Sequence, residues 1–149
     1  MSEETYTIAQ MAERSGLSVP TLRFYESEGL IPPVPRDYAN NRVYGEAEVS
    51  RIDTIRCLRA AGLTLPEMRR YFDMVSAGEA TIPERRELLR RTQERLSRQQ
   101  ADLQRCMDYL TLKLDFYDRA CAAQAKGLPL PEYSFARARS VFDCPEKES

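Results

Sequence analysis

No histidine occurs in the 149 residues, so the chain lacks the side chain that most often serves as general base or metal ligand near neutral pH. The chemistry left to it is that of thiols and guanidinium groups. Cysteines stand at 57, 106, 121 and 144, without the close pairing of a disulfide framework. Cys57 is flanked by Arg56 and Arg59, whose charge would favour the thiolate if their heads approach it, and a thiolate is the form that attacks an electrophile. The alternative is a small, packed, apolar side chain. A soft-metal site would need at least two thiolates together, and Cys106, Cys121 and Cys144 are the candidates, meeting across a dimer. With no Gly-rich phosphate loop and no close acid pair in a pocket-forming context, no catalytic constellation assembles and an enzyme is not expected.

The arginines need a scaffold, and Leu17-Ser18-Val19-Pro20-Thr21-Leu22-Arg23-Phe24-Tyr25-Glu26-Ser27-Glu28-Gly29-Leu30 supplies one. The Ser18 hydroxyl can cap a helix N-terminus, and Gly29 can take the left-handed conformation that ends a helix. Upstream, Thr7-Ile8-Ala9-Gln10 has the form of a capping box, and Ile8, Met11, Ala12 and Leu17 mark an apolar face. Two short helices joined at Ser15-Gly16-Leu17-Ser18 predict a helix-turn-helix. Its second helix would enter the major groove of DNA with Ser18, Val19, Thr21 and Arg23 near base edges or phosphates and Tyr25 on the backbone. Leu22 and Phe24 are expected in the core, and Glu26 in a structural role.

From Ile31 to Tyr44, prolines at 32, 33 and 35 forbid helix, and Asn40-Asn41 suits a tight turn between extended arms, a wing carrying Arg36, Tyr38, Arg42 and Tyr44. Glu46 and Glu48 begin a third helix running to about Ala61, where Gly62 closes it. Thr64-Leu65-Pro66-Glu67 opens a fourth, which Ser76-Ala77-Gly78 ends, and Thr81-Ile82-Pro83-Glu84 has the same box form before the longest helix.

That helix places Ile82, Leu89, Leu96, Leu103, Leu110 and Tyr117 at a strict seven-residue interval, the mark of a coiled coil. The second seam position is more polar: Thr92, Gln99, Cys106 and Lys113 on one choice, Arg86, Gln93, Gln100, Met107 and Leu114 on the other. A narrow apolar strip favours two chains. A helix from Pro83 to about Ala123 extends on the order of 60 Å, more than four short helices can cover, so a homodimer presenting two recognition helices to a palindromic site is expected. The tail from Gly127 is proline-rich and aromatic, suited to packing back.

Thr21-Leu22-Arg23-Phe24-Tyr25-Glu26, then Gly29-Leu30, Arg36, Arg42 and Tyr44, closely resemble the N-terminal signature of the MerR family of bacterial transcription regulators. The likeness continues through Ile55-Arg56-Cys57-Leu58-Arg59-Ala60-Ala61-Gly62-Leu63-Thr64-Leu65-Pro66-Glu67-Met68 and covers roughly Tyr6 to Tyr117. It implies a mainly α fold: a winged helix-turn-helix DNA-binding domain over residues 5–78, an antiparallel coiled-coil dimerisation helix over 79–126, and a tail over 127–149. It also implies that Arg36, Tyr38, Asn41, Arg42, Tyr44 and Arg59 clamp flanking phosphates, although Tyr38-Ala39 stands where many relatives place a Gly-containing turn. Such regulators activate promoters with RNA polymerase by bending and untwisting operator DNA. The sequence around Cys57, with Thr81-Ile82-Pro83-Glu84-Arg85 and the Tyr109 to Tyr117 run, resembles the subgroup that senses aldehydes, nitrosative stress and related electrophiles through one cysteine at this position. Metal-sensing relatives carry a cysteine at the start of the dimerisation helix and a pair after its end, a pattern this chain lacks. A constitutive DNA-binding dimer is the remaining alternative, because the chain ends soon after the coiled coil with no separate ligand domain.

The net charge of −1 is not the footprint of a non-specific nucleic-acid binder, so positive charge must be arranged rather than abundant. No apolar run has membrane-spanning length and the N-terminus lacks the regions of a signal peptide, so a cytoplasmic protein without cofactor is expected.

Overall fold

The computed structural model of the chain describes residues 4–143. It divides into two compact units, at Thr92 and Gln93.

In the first unit, helix α1 spans Ile8–Ser15 and α2 spans Val19–Ser27. The capping box forms as expected: the Gln10 N–H donates to the Thr7 hydroxyl at 3.2 Å, and the Thr7 N–H donates to the Gln10 side-chain oxygen at 2.9 Å. Ser18 caps α2 by accepting the Thr21 N–H at 3.2 Å. Caps of this kind are worth about 1 kcal/mol each. Gly16, at φ 68°, makes the turn between the helices, a conformation costly for a side chain with a Cβ. The helix-turn-helix is therefore set by local chemistry at both helix starts and at the turn.

Helices α3 (Glu46–Ala60) and α4 (Leu65–Ser76) complete the unit. Val49, Ile52, Ile55 and Leu58 face inward from α3, meeting Met11, Leu22, Leu30, Ile31, Met68 and Phe72 in one core. The Arg51 guanidinium lies 4.2 Å from the Phe72 ring centre, tying α3 to α4. Thr64 forms the expected box with Glu67. Thr81 does not form one with Glu84. A 3-10 turn, Glu79–Thr81, precedes the next helix and turns the Thr81 hydroxyl back to donate to the Gly78 carbonyl at 2.8 Å, while it accepts Arg85 Nε at 3.1 Å.

The 31–44 loop is less regular than a β-ribbon. Among the described residues it pairs only through isolated antiparallel bridges, Arg36 with Arg42 and Tyr6 with Tyr44. The prolines remove the donors that longer strands need. The tip instead closes on Asp37, whose carboxylate accepts the N–H groups of Ala39 and Asn41, both at 2.9 Å, with Asn40 at φ 64°.

Helix α5 runs from Ile82 to Ala125. In the second unit the chain reverses at Gly127, and the tail, with the short helix α6 (Phe135–Ser140), lies on α5. The Phe116 and Tyr133 rings meet edge to face at 5.1 Å, Tyr109 and Phe142 at 5.3 Å, and Lys113 Nζ sits 4.2 Å from the Tyr133 ring centre.

Candidate nucleic-acid interface

Helix α2 turns Leu22 and Tyr25 inward, three residues apart, which leaves Val19, Arg23 and Ser27 on the outer face. Arg23 is exposed and makes no hydrogen bond or ion pair within the described residues, so its guanidinium is available to an outside acceptor. Ser18 and Thr21 share a hydroxyl contact of 2.7 Å at the helix start, which orders both before any ligand arrives.

Glu26 is structural, as expected. Its Oε1 accepts the Val34 N–H at 3.1 Å and its Oε2 accepts Arg42 Nε at 2.5 Å, so one carboxylate joins the recognition helix to both arms of the loop. The Arg36 guanidinium braces the tip by donating to the Asn40 carbonyl at 2.7 Å. Asn41 hydrogen bonds hold the Asp37 carboxyl below the ordinary aspartate range, which keeps the tip's anchor charged.

Of the expected DNA-contacting residues, seven line two grooves, and Ser18, Val19, Tyr38 and Tyr44 line neither. Arg23, Arg36, Asn41 and Arg42 line one groove whose opposite wall is the start of α1, Thr5 to Gln10. Thr21, Tyr25 and Arg59 line another with Phe24, Leu63, Leu65 and Met68. Tyr38 stands apart, fully exposed at the loop tip. The start of α1 enters this groove without any sequence signal beyond the Thr7 capping box, which marks where free helix N–H groups lie.

Three aromatic positions depart from expectation. Tyr44 is fully buried rather than presented to phosphate, its backbone is paired with Tyr6, and its hydroxyl meets no partner among the described residues. Burial, with the Glu26 carboxylate nearby, pushes that phenol above its ordinary value. Tyr25 is only 4 % exposed, and its hydroxyl accepts Arg59 Nη1 at 3.2 Å, so the ring belongs to the core. Phe24, expected in the core, is 46 % exposed on the groove wall.

In the single chain Cys57 is an exposed free thiol on α3. Neither flanking arginine is turned to it: Arg56 pairs with Asp53 at 3.5 Å, and Arg59 reaches Tyr25. Cys106 and Cys121 are exposed free thiols on α5, and Cys144 lies outside the described residues. No group of three or more metal-ligating side chains is gathered among the described residues of one chain.

Comparison with known proteins accounts for this arrangement. The family model described as MerR HTH family regulatory protein matches residues 6–75, and that described as MerR, DNA binding, matches residues 49–112. An uncharacterised HTH-type transcriptional regulator of Haemophilus influenzae is 37% identical over 129 residues, covering 86% of this chain and 96% of the relative. The HTH-type transcriptional regulator AdhR of Bacillus subtilis is 39% identical over 89 residues, covering 60% of this chain and 64% of the relative. Among solved structures, HiNmlR, described as a MerR family regulator lacking the sensor domain and bound to promoter DNA, superposes with a TM-score of 0.76 at 33% identity, over 95% of this chain and 98% of that one. The helix-turn-helix, the long helix that follows it and these matches together establish that the chain belongs to the MerR family of DNA-binding transcriptional regulators.

Proposed function

We propose that the chain acts as a homodimer on a palindromic promoter operator, with α5 pairing antiparallel against a second α5. The observation that carries this is the row Ile82, Leu89, Leu96, Leu103, Leu110 and Tyr117, which is 38 to 67 % exposed in the single chain. A stripe of this length left in water is costly, and a second copy removes it. In that dimer Arg23 and Thr21 address the major groove, and Arg36, Arg42, Tyr38 and Arg59 address the flanking phosphates.

The dimer bends and untwists the promoter so that RNA polymerase engages it. Smooth bending of such a site costs about 1–6 kcal/mol, so an effector acts by favouring the distorting state. Cys57 is the residue we assign to that role. Its sulfur adds to the carbonyl carbon of an aldehyde and the thiol proton passes to the carbonyl oxygen, giving a hemithioacetal; with a nitrosothiol, the nitroso group moves to sulfur and the donor leaves as thiol. The exposed thiol supports this chemistry. Helix α3 also carries Arg59, so a shift of that helix is passed to the recognition helix through the Tyr25 hydroxyl. The relative seen on promoter DNA is described as lacking the sensor domain, and its likeness to this chain supports looking for a responding residue in the DNA-binding head. The test is a promoter fusion with Cys57→Ser: operator binding persists and induction by formaldehyde or S-nitrosoglutathione disappears, whereas an unchanged response removes Cys57 from the account.

The positions of Arg56 and Arg59 favour a second reading, a constitutive DNA-binding dimer, because the charges expected to activate the thiol are engaged elsewhere. In that case the same fusion shows no inducer dependence in either protein.

A further inference from the structure

Along α5, Cys106, Tyr109, Lys113 and Phe116 follow one another at intervals of three, four and three residues, so they stand on one face of the helix. The tail lies on that face and runs against the direction of α5. Tyr133 meets Phe116 at 5.1 Å between ring centres, the Lys113 ammonium lies 4.2 Å from the Tyr133 ring centre, and further along the tail Phe142 meets Tyr109 at 5.3 Å. Each step forward in the tail is therefore a step back along α5 toward Cys106. That residue is an exposed free thiol one turn before Tyr109, about 4.5 Å away along the axis. Cys144 lies outside the described residues and follows Phe142 by two positions. Two residues of chain span up to about 7 Å, enough to carry a Cα from the Phe142 seat to within the roughly 4.4–6.8 Å that separates the Cα atoms of a disulfide. Cys121, by contrast, falls on the row of Leu110, Leu114 and Tyr117, which none of the described tail rings meets.

We propose that Cys106 and Cys144 form a redox-sensitive clasp, an intrachain disulfide that a peroxide closes and a thiol reductant opens, with the docked tail as its positioning device. The two cysteines are far apart in sequence, and the ring contacts of the tail raise the effective concentration of one thiol at the other. In closure, one sulfur attacks an oxygen of hydrogen peroxide, the O–O bond breaks, and the departing hydroxide takes the thiol proton as water, leaving a sulfenic acid. The second sulfur attacks the sulfenic sulfur, the S–O bond breaks, and hydroxide takes the second thiol proton as another water. Two thiols and one peroxide become one disulfide and two waters, the sulfur pair losing the two electrons that the peroxide gains. A second thiol held close traps the sulfenic acid before it is oxidised further to sulfinic acid. Closure pins the tail to α5 and consumes two of the three thiols that a soft-metal site would draw on, leaving Cys121 alone. The clasp needs neither Cys57, which stands in the other unit, nor a second copy of the chain.

The test uses the full chain with Cys57→Ser and Cys121→Ser, treated with a small molar excess of hydrogen peroxide. Both remaining thiols are expected to disappear while the protein keeps single-chain mobility on a non-reducing gel. Trypsin is expected to release residues 106–113 joined to residues 140–147, a species that dithiothreitol separates. The further change Phe142→Ala removes the ring seated on Tyr109 and lies in the tail, so the helical circular dichroism of α5 is expected to persist. It is expected to lower the equilibrium constant for closure against glutathione by about 2- to 10-fold, the worth of one aromatic pair. Thiols that stay reduced, that pass singly to sulfinic acid, or that join two chains in a covalent dimer would each overturn the clasp. A closure constant left unchanged by Phe142→Ala would overturn it also, because the docked tail would then not be what brings the thiols together.

Discussion

Glu26 on the recognition helix binds Arg42 of the following loop at 2.5 Å, with both side chains largely shielded from water. The same carboxylate takes the Val34 N–H at 3.1 Å, so the angle between helix and loop is fixed by one side chain with three jobs: helix residue, ion-pair partner and backbone acceptor. Because the Arg23 and Arg36 guanidinium groups share one groove wall, that angle sets where they stand relative to each other.

Glu26→Gln keeps an acceptor for Val34 and loses the ion pair, whereas Glu26→Ala loses both. Stability is expected to fall by about 1 kcal/mol in the first and about 2–3 kcal/mol in the second, read by urea unfolding. Operator affinity falls in the same order, in excess of any unfolded fraction. Equal effects from the two variants would show that the Val34 contact contributes nothing.

The proposed roles of Arg23 and Arg36 are of two kinds, a base contact and a phosphate contact. Arg23→Ala is expected to cost about 1–3 kcal/mol on the operator and little on random duplex, as for a base contact, while Arg36→Ala weakens both and reduces the salt slope by about 1. Titrations at several salt concentrations read both effects. The opposite assignment of slope and specificity would exchange the two roles.

On the seam, the pair Leu103→Lys and Leu110→Lys places charge where the bare row must be covered. The variant is expected to be monomeric by sedimentation and to lose operator binding, with its total helical circular dichroism reduced. Unchanged dimer mass would move the interface to another face.

Glu87 on α5 is drawn down from its ordinary 4.5 to about 2 by hydrogen bonds from Arg90 and Arg91. A depressed carboxylate contributes above its unfolded value and stops contributing as pH falls through the folded one, so this local contact should survive acidification from pH 4.5 and fade near pH 2. A carboxyl-carbon NMR titration reads the midpoint; a value near 4.5 would show that the two arginines do not hold it.

What the sequence made legible was local or periodic. The Thr7, Ser18 and Thr64 caps, the turn at Gly16 and the seven-residue row each depend on neighbours a few positions away. Tyr25 and Tyr44 were misplaced because a phenol suits a phosphate contact and a wet core edge equally, and only the tertiary fold decides between them. Phe24 follows from Tyr25: once Leu22 and Tyr25 take the inward face, Phe24 falls to the side of the helix and stays 46 % exposed, which no reading that left Tyr25 undecided could show. The Asp53 partner of Arg56 was readable as an i,i+3 pair, whereas the Tyr25 partner of Arg59 lies 34 positions away and was not. Thr81 matched a capping pattern yet bonds backward to Gly78, because the 3-10 turn before α5 reverses its hydroxyl. The tail's seat on α5 has no periodic signature at all.

The central claim is that two chains joined through α5 present paired recognition helices to one symmetric duplex. Sedimentation equilibrium of the protein with a duplex from the promoter region upstream of its own gene, at a concentration well above the dissociation constant, measures this directly. Two chains per duplex is the predicted stoichiometry, retained when one half-site is kept intact and lost with the Leu103→Lys and Leu110→Lys pair; one chain per duplex with full affinity would contradict it.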